Sequence, residues 1–391
     1  MGRFGDGLAV GADLPAAAER ATADALRPLG GRVPDLLCVF VSGSDPAAAG
    51  AALERAAGLG GAAVTLGCTA SGVIGGAQGV EGQAAVSVLA AVLPDVRLRA
   101  FHLEVLRTDA GAAVVGMPEV APDDLADAVV VLLTDPYSFP VDGFLSQANS
   151  ALPGLSVVGA VAAGPRGTGS TRLLLDGRVV DRGAVGVLLQ GSGARVIISQ
   201  GCRPVGPPMT VTAAAGNVVR SVAGVPALQR VEELLEQLPP EDQALASVGL
   251  QLGIALDEYA EDHDFLMRSV VGSESRTGGV VVSGPVEVGR TVRLQVRDAD
   301  AADADLRRLL AGYRRDSRDV PAGGALLFSC NGRGAQLYGA AYGGADHDPS
   351  VVRSELAAQG LAGFFAGGEL GPVAGRNHLH GFTASVLAFP G

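Results

Sequence analysis

The chain has 391 residues, enough for two ordinary domains or one large fold with a well-buried core. Its 29 basic residues against 41 acidic ones leave a net charge of −12, which opposes the electrostatic term that dominates nucleic-acid binding. All the basic residues are arginine, and the lack of lysine excludes a Schiff-base mechanism and a Walker phosphate-binding lysine.

No apolar run reaches the roughly 18 to 20 residues that span a bilayer. The opening MGRFGDGLAV has no basic stretch followed by an apolar one, so a cytoplasmic location, without membrane association, is the default expectation. Cys38, Cys68, Cys202 and Cys330 lie far apart with no CxxC pair, which argues for reduced thiols rather than a zinc ribbon or a redox dithiol. The abundance of glycine and the use of arginine for lysine fit a GC-rich bacterial genome and carry no functional information.

Along the chain, one arrangement of apolar runs bounded by Gly and Pro occurs three times. The first begins with a strand in LLCVFVSGSDP (Leu36–Pro46), continues through an alanine-rich helix, and returns as a strand in AAVTLGCTASGVIGG. A hairpin turning at Leu93-Pro94-Asp95 follows. The second has a strand in AVVVLLTDPYSFP (Ala128–Pro140), a helix around Phe144–Ser150 and a strand opening LSVVGAVAAGPRGTGSTR. The third runs from GALLFSCNGRG through a helix around Ser350–Gln359 to LAGFFAGGELGPVAG and the strand GFTASVLAF. Between the second and third copies, Leu228, Val231, Leu234, Leu235 and Leu238 form one apolar helical face that stops at Pro239-Pro240, marking a boundary between halves. A Gly/Val-rich β segment and a second amphipathic helix, Leu306 to Tyr313, come after it. The pattern predicts an α/β fold in two modules, with mixed β-sheets flanked by helices and built from repeated strand-loop-helix-strand units.

Ligands of open α/β sheets bind beyond the strand ends, where glycine-rich loops let backbone N–H groups approach. The segment FFAGGELGPVAGRNHLHGFTASVL gathers Glu369, Arg376 and Asn377 in such a loop. Glu369 suits a cation or amine, Arg376 a carboxylate or phosphate, and Asn377 offers both a donor and an acceptor. Either they clamp a zwitterion, or Glu369 and Arg376 pair with each other to hold the loop. His378 and His380 with Glu369 are too few for a metal site, and no GxSxG, HExxH, GxGxxG or EF-hand pattern occurs, so no metal or cofactor is expected. Cys330 ends an apolar strand and is read as lining a pocket; Cys68, beside Thr69 and Ser71, is placed at the same position of the first copy.

These stretches resemble the FIST family. GALLFSCNGRG and LAGFFAGGELGPVAGRNHLHGFTASVL are similar to the most recognisable parts of its C-terminal module, and VTLGCTASGVI resembles the glycine–cysteine loop of its N-terminal module. The resemblance implies an extension over residues 1–30, a FIST N-terminal module over 31–225 and a FIST C-terminal module over 226–391. It further implies a bacterial sensory domain of signal transduction that binds a small polar metabolite, an amino acid or related compound, in a glycine-rich cleft between modules. The C-terminal motif carries over to Cys330, Asn331, Arg333, Glu369, Gly371, Pro372, Arg376, Asn377 and His380, and the N-terminal loop to Gly67, Cys68 and Ser71. No output module fits in the remaining residues, so a stand-alone sensor signalling through a separate partner protein is expected. The rivals are an enzyme using Cys330 or Glu369, and a scaffold whose glycine loops are only turns.

Overall fold

A computed structural model describes residues 2–108, 111–164, 167–256, 265–274 and 276–391; His263 lies outside them. The fold is mixed α/β, in two compact units. One comprises Met1–Ser199, Leu306–Leu379 and Thr383–Gly391, and the other Gln200–Asp305 with His380–Phe382. Among the described residues no helix is long and apolar enough to cross a membrane.

The first unit contains the threefold pattern. In each repeat a buried strand leads into a helix and the chain returns as a parallel strand beside the first. The first repeat does this with Leu36–Ser42, Pro46–Gly60 and Val64–Ala70. The second uses Ala128–Thr134, Val141–Ala151 and Ser156–Val161. The third uses Ala322–Cys330, His347–Leu356 and Gly360–Ala366. Local chemistry sets the ends: Asp45 caps Pro46–Gly60 by accepting the Ala47 amide at 2.8 Å, and Gly61 ends it in the left-handed conformation.

After the parallel pair, each repeat gives a hairpin to another repeat's sheet. Gly72–Gly75 and Gln78–Glu81 extend the third sheet, Leu173–Leu175 and Arg178–Val180 the first, and Glu369–Val373 and Arg376–His380 the second. The chain then returns antiparallel to its own first strand, as Ala85–Val92, Ala184–Gln190 or Thr383–Pro390. A last strand passes on to the next sheet: Arg97–Thr108 joins the second and Arg195–Gln200 the third. The first thirty residues, read from the sequence as an extension ahead of the modules, fill the remaining place. Arg3–Val10 pairs with Ala85–Val92 in the first sheet, Phe4 packs against Phe389 at 5.4 Å, and Leu14–Leu26 buries Leu14, Ala17, Ala18 and Ala21.

The exchange of strands means that no repeat has a complete sheet by itself, and the apolar faces join in a shared core. Phe40 and Phe328 occupy matching positions and meet Phe364 at 5.0 and 5.4 Å. It also explains why the compact units do not follow the boundary at residues 225/226. The third repeat needs strands from the first two, so residues 322–391 fold mainly with the N-terminal half.

In the second unit, Thr291–Arg297, Met209–Ala215, Val218–Val222, Gly279–Val282, Phe265–Glu274 and Leu250–Ala255 pair in that order, and the last pairs back to the first to close a small barrel. Val211, Val219, Leu252, Val280, Val282, Val292 and Leu294 form its core. Ala227–Gln237 lays Leu228, Val231 and Leu234 against that core, and the Pro239-Pro240 stop is followed by a new helix, Pro240–Gly249.

Candidate functional site

Register fixes which residues of the three repeats correspond. Gly67, Gly159 and Gly363 lie opposite Val39, Leu132 and Leu327 in the parallel pairs. A Cβ at these glycines would lie 2.2, 2.0 and 1.7 Å from the partner's carbonyl oxygen, so each repeat needs glycine there for close strand approach. Gly67 is accordingly part of the frame. The next residues, Cys68, Ala160 and Phe364, pair across the sheets with Leu173, Glu369 and Val73. Glu369 therefore stands where the other two repeats place buried valine and leucine.

The same comparison separates the two cysteines that the sequence reading equated. Cys330, at the end of its repeat's first strand, corresponds to Ser42 and Asp135, and Cys68 lies on a second strand with Phe364 as its counterpart. Cys38 and Cys68 are fully buried, and burial pushes the Cys38 thiol up to about 12 and that of Cys68 well above its ordinary value. Cys68 is a core filler.

Around Cys330 the third repeat is polar. Thr383 faces it across the antiparallel pair, at a position that is Ala85 in the first repeat and Gly183 in the second. The Thr383 hydroxyl donates to Glu369 Oε2 at 2.8 Å and its backbone amide donates to the same oxygen at 3.2 Å. Glu369 is fully buried, and among the described residues its Oε1 meets no nitrogen or oxygen donor. Burial raises the Glu369 carboxyl to about 8, against the opposing pull of the Thr383 bonds, the Arg333 charge and the Cys330 thiol. Cys330 is 5% exposed, its thiol lies 3.8 Å from Asn331 Oδ1, and Asn331 itself is exposed. Polar groups thus run inward from the surface, from Asn331 through Cys330 to Glu369 and Thr383.

Arg333 is not available as an anion site. It is fully buried, and its Nε and Nη2 donate to Asp348 Oδ2 and Oδ1 at 2.8 and 3.0 Å. Nη2 also donates to the Tyr338 hydroxyl at 2.6 Å, Ser329 adds a bond to Asp348 Oδ2 at 2.7 Å, and His347 stacks on Tyr338 at 3.6 Å. Burial works against ionisation of Asp348, but Arg333 and bonds from His347 and Ser329 outweigh it and hold the carboxyl well below the usual range.

Glu369 and Arg376, read from the sequence as a ligand clamp or as a structural pair, lie apart. Arg376 is exposed just beyond the hairpin turn, and Glu369 begins the preceding strand four residues before Val373, about 13 Å away along the strand. Asn377, expected to orient a ligand, is fully occupied. Its Oδ1 accepts the Val157 amide at 2.8 Å, and its Nδ2 donates to Leu155 O at 2.8 Å and Asn149 Oδ1 at 3.1 Å. Gly371 is a packing residue, since a Cβ there would lie 2.0 Å from Ile198 Cδ1; Pro372 is half-buried beside it. Thr69 accepts the Arg172 amide at 3.1 Å, and exposed Ser71 donates to Phe365 O at 3.0 Å. His380 is buried and belongs to the second unit.

The structure thus brings together Cys330, Asn331, Arg333 and Glu369 and adds Thr383, Asp348, Tyr338 and His347, which the sequence reading missed. Aligning the repeats would have flagged Thr383, because its counterparts are alanine and glycine.

Residues 35–224 match the FIST N domain and residues 227–372 the FIST C domain. An uncharacterized protein of Mycobacterium tuberculosis is 41% identical over 397 residues, 99% of each chain. Another, of Mycobacterium bovis, is 40% identical over 392 residues, covering 99% of this chain and 98% of that one. With both domains in tandem and relatives matched end to end, this chain belongs to the FIST family.

Proposed function

We propose that this protein is a sensor that binds a small polar metabolite carrying an amine, an amino acid or a related compound, where the first two strands of the third repeat end. The observation that carries this reading is the buried Glu369 in a place that Val73 and Leu173 fill elsewhere. The frame does not require a carboxyl there, and a buried carboxyl with one oxygen that meets no nitrogen or oxygen donor is retained at a free-energy penalty. Glu369 and Thr383 form the floor, and Cys330 and Asn331 lead to it from the surface.

Without ligand, burial favours the protonated form of the carboxyl. An ammonium group reaching Oε1 supplies the positive charge that favours the ionised form, so binding displaces a proton. Because Arg333 is committed to Asp348, selectivity rests on the amine end of the ligand. Output passes to a separate protein partner.

The test is a thermal-shift screen of amino acids, amines and small organic acids against the wild type and Glu369→Val, which restores the first repeat's residue. At 100 times its dissociation constant a ligand adds about 2.7 kcal/mol, and Tm moves by several degrees. A shift by an amine-bearing compound, lost in folded Glu369→Val, supports the sensor. A flat screen, or a shift that the variant retains, rejects this site and favours the scaffold.

A further inference from the structure

The barrel of the second unit carries two glutamines in unusual circumstances. Gln251, in the strand Leu250–Ala255, and Gln295, in Thr291–Arg297, lie directly opposite each other in register. Register extends the row to Pro204 beside Gln295 and Ser269 beside Gln251, so four neighbouring strands contribute to it. Their flanking residues, Leu250, Leu252, Leu294 and Val296, alternate to the other face, and Leu252 and Leu294 belong to the barrel core. The glutamines therefore point to the outer face.

A glutamine on the outer face of a barrel would ordinarily be solvated. These two are each 1% exposed, and among the described residues neither the Nε2 nor the Oε1 of either amide has a hydrogen-bond partner. Natural proteins leave few such groups, and here four polar atoms fall on one directly opposed pair. Residues on one face of an antiparallel pair have Cβ atoms about 4.5 to 5.5 Å apart, so the two amides are neighbours.

Their surroundings make room for the amides. A Cβ at Gly253 would lie 2.5 Å from Gln295 Nε2, so the glycine leaves the space that this amide occupies. Phe265 and Met267, both buried, pack with Ala255 as a small apolar cluster joined by Cys202. Each amide offers one acceptor and two donors. A ring with an adjacent C=O and N–H can pair with one amide through two hydrogen bonds and use its second polar edge on the other, with its faces against the apolar cluster.

We propose that Gln251 and Gln295 form a second ligand site, separate from the Glu369 site, that takes a small uncharged planar molecule bearing an amide edge, such as a pyrimidine base or an aromatic carboxamide. This site involves no titration and does not depend on the Glu369 reading.

The experiment uses the full chain with uracil and nicotinamide as probes, followed by ligand-observed NMR and thermal shift. Wild type is expected to bind at least one probe, and Gln251→Leu and Gln295→Leu each to weaken it by about tenfold or more, the loss of one paired contact. Both leucine variants should melt above the ligand-free wild type, because the unmatched amides are gone. If they fail to fold, Gly253→Ala, which displaces the Gln295 amide while keeping both glutamines, is expected to weaken the probe equally. Absence of binding by either probe at millimolar concentration, or equal binding by wild type and a folded variant, overturns the proposal. Glu369→Val should leave probe binding unchanged, so this site and the Glu369 site fail or stand separately.

Discussion

Glu369 accepts both the hydroxyl and the backbone amide of Thr383 on a single oxygen, and both residues depart from what the other two repeats hold at matching positions. In a pseudo-threefold frame the common residues report on folding and the exceptions on local demands. Gly67, Gly159 and Gly363 are of the first kind, and Glu369, Thr383 and Cys330 of the second.

The titration of Glu369 gives a signed prediction. Its folded carboxyl is raised from an ordinary 4.5 to about 8, so between these values the folded state holds a proton that the unfolded state has lost. Each unit of pH in that window removes up to about 1.4 kcal/mol of stability, and above pH 8 the effect levels off. Glu369→Gln removes this dependence. Urea denaturation from pH 4.5 to 9 should show the variant gaining on the wild type as pH rises, and parallel curves would contradict the assignment.

Breaking the Arg333–Asp348 pair strands a buried charge. Asp348→Leu or Arg333→Met alone should cost about 3 to 5 kcal/mol, and the double variant should recover much of the loss. Chemical denaturation of all four proteins measures the coupling. A double variant no better than the sum of the singles would mean that the two side chains act independently.

Asn377 ties the edge hairpin to the second repeat through Asn149, Leu155 and Val157. Asn377→Ala leaves the buried Val157 amide and Leu155 carbonyl unmatched and should lose about 2 to 3 kcal/mol. Asn377→Asp, which turns the donor facing Leu155 O into an acceptor, should do no better. Ligand affinity in the Asn377→Ala variant, measured on the folded fraction, should stay at the wild-type value.

Two glycine-to-alanine changes should have opposite signs. At Gly363 the new methyl would sit 1.7 Å from Leu327 O, and the clash should cost about 3 kcal/mol or more. At Gly58, inside the exposed side of Pro46–Gly60, nothing lies within 4 Å, and alanine should add about 0.5 to 1 kcal/mol. Thermal melts of the two variants check both.

Much of the frame was legible in the sequence. The strand-helix-strand units were readable because apolar runs, Asp-Pro starts and glycine stops act over a few residues. Their threefold recurrence was readable because each repeat uses the same local rules. Cys330, Asn331, Arg333 and Glu369 stood out in the sequence through stretches that resemble the FIST family, and the structure brings them near one another. What each does was not legible there. Charge and spacing suggested Glu369 with Arg376, yet Glu369 begins the first strand of the hairpin and Arg376 follows its turn, at the start of the second. The partner of Arg333 is Asp348, fifteen residues on and brought back by a helix. The sequence by itself determined the strand-helix-strand elements of the repeats and their recurrence, because these depend on short-range periodicity and turn chemistry, and its motifs pointed to the family. Only the tertiary structure decided which sheet each hairpin joins and that the first strand completes the set. It alone put Glu369 in the interior and Arg376 in solvent, because burial and charge pairing are set by strands that meet across hundreds of residues.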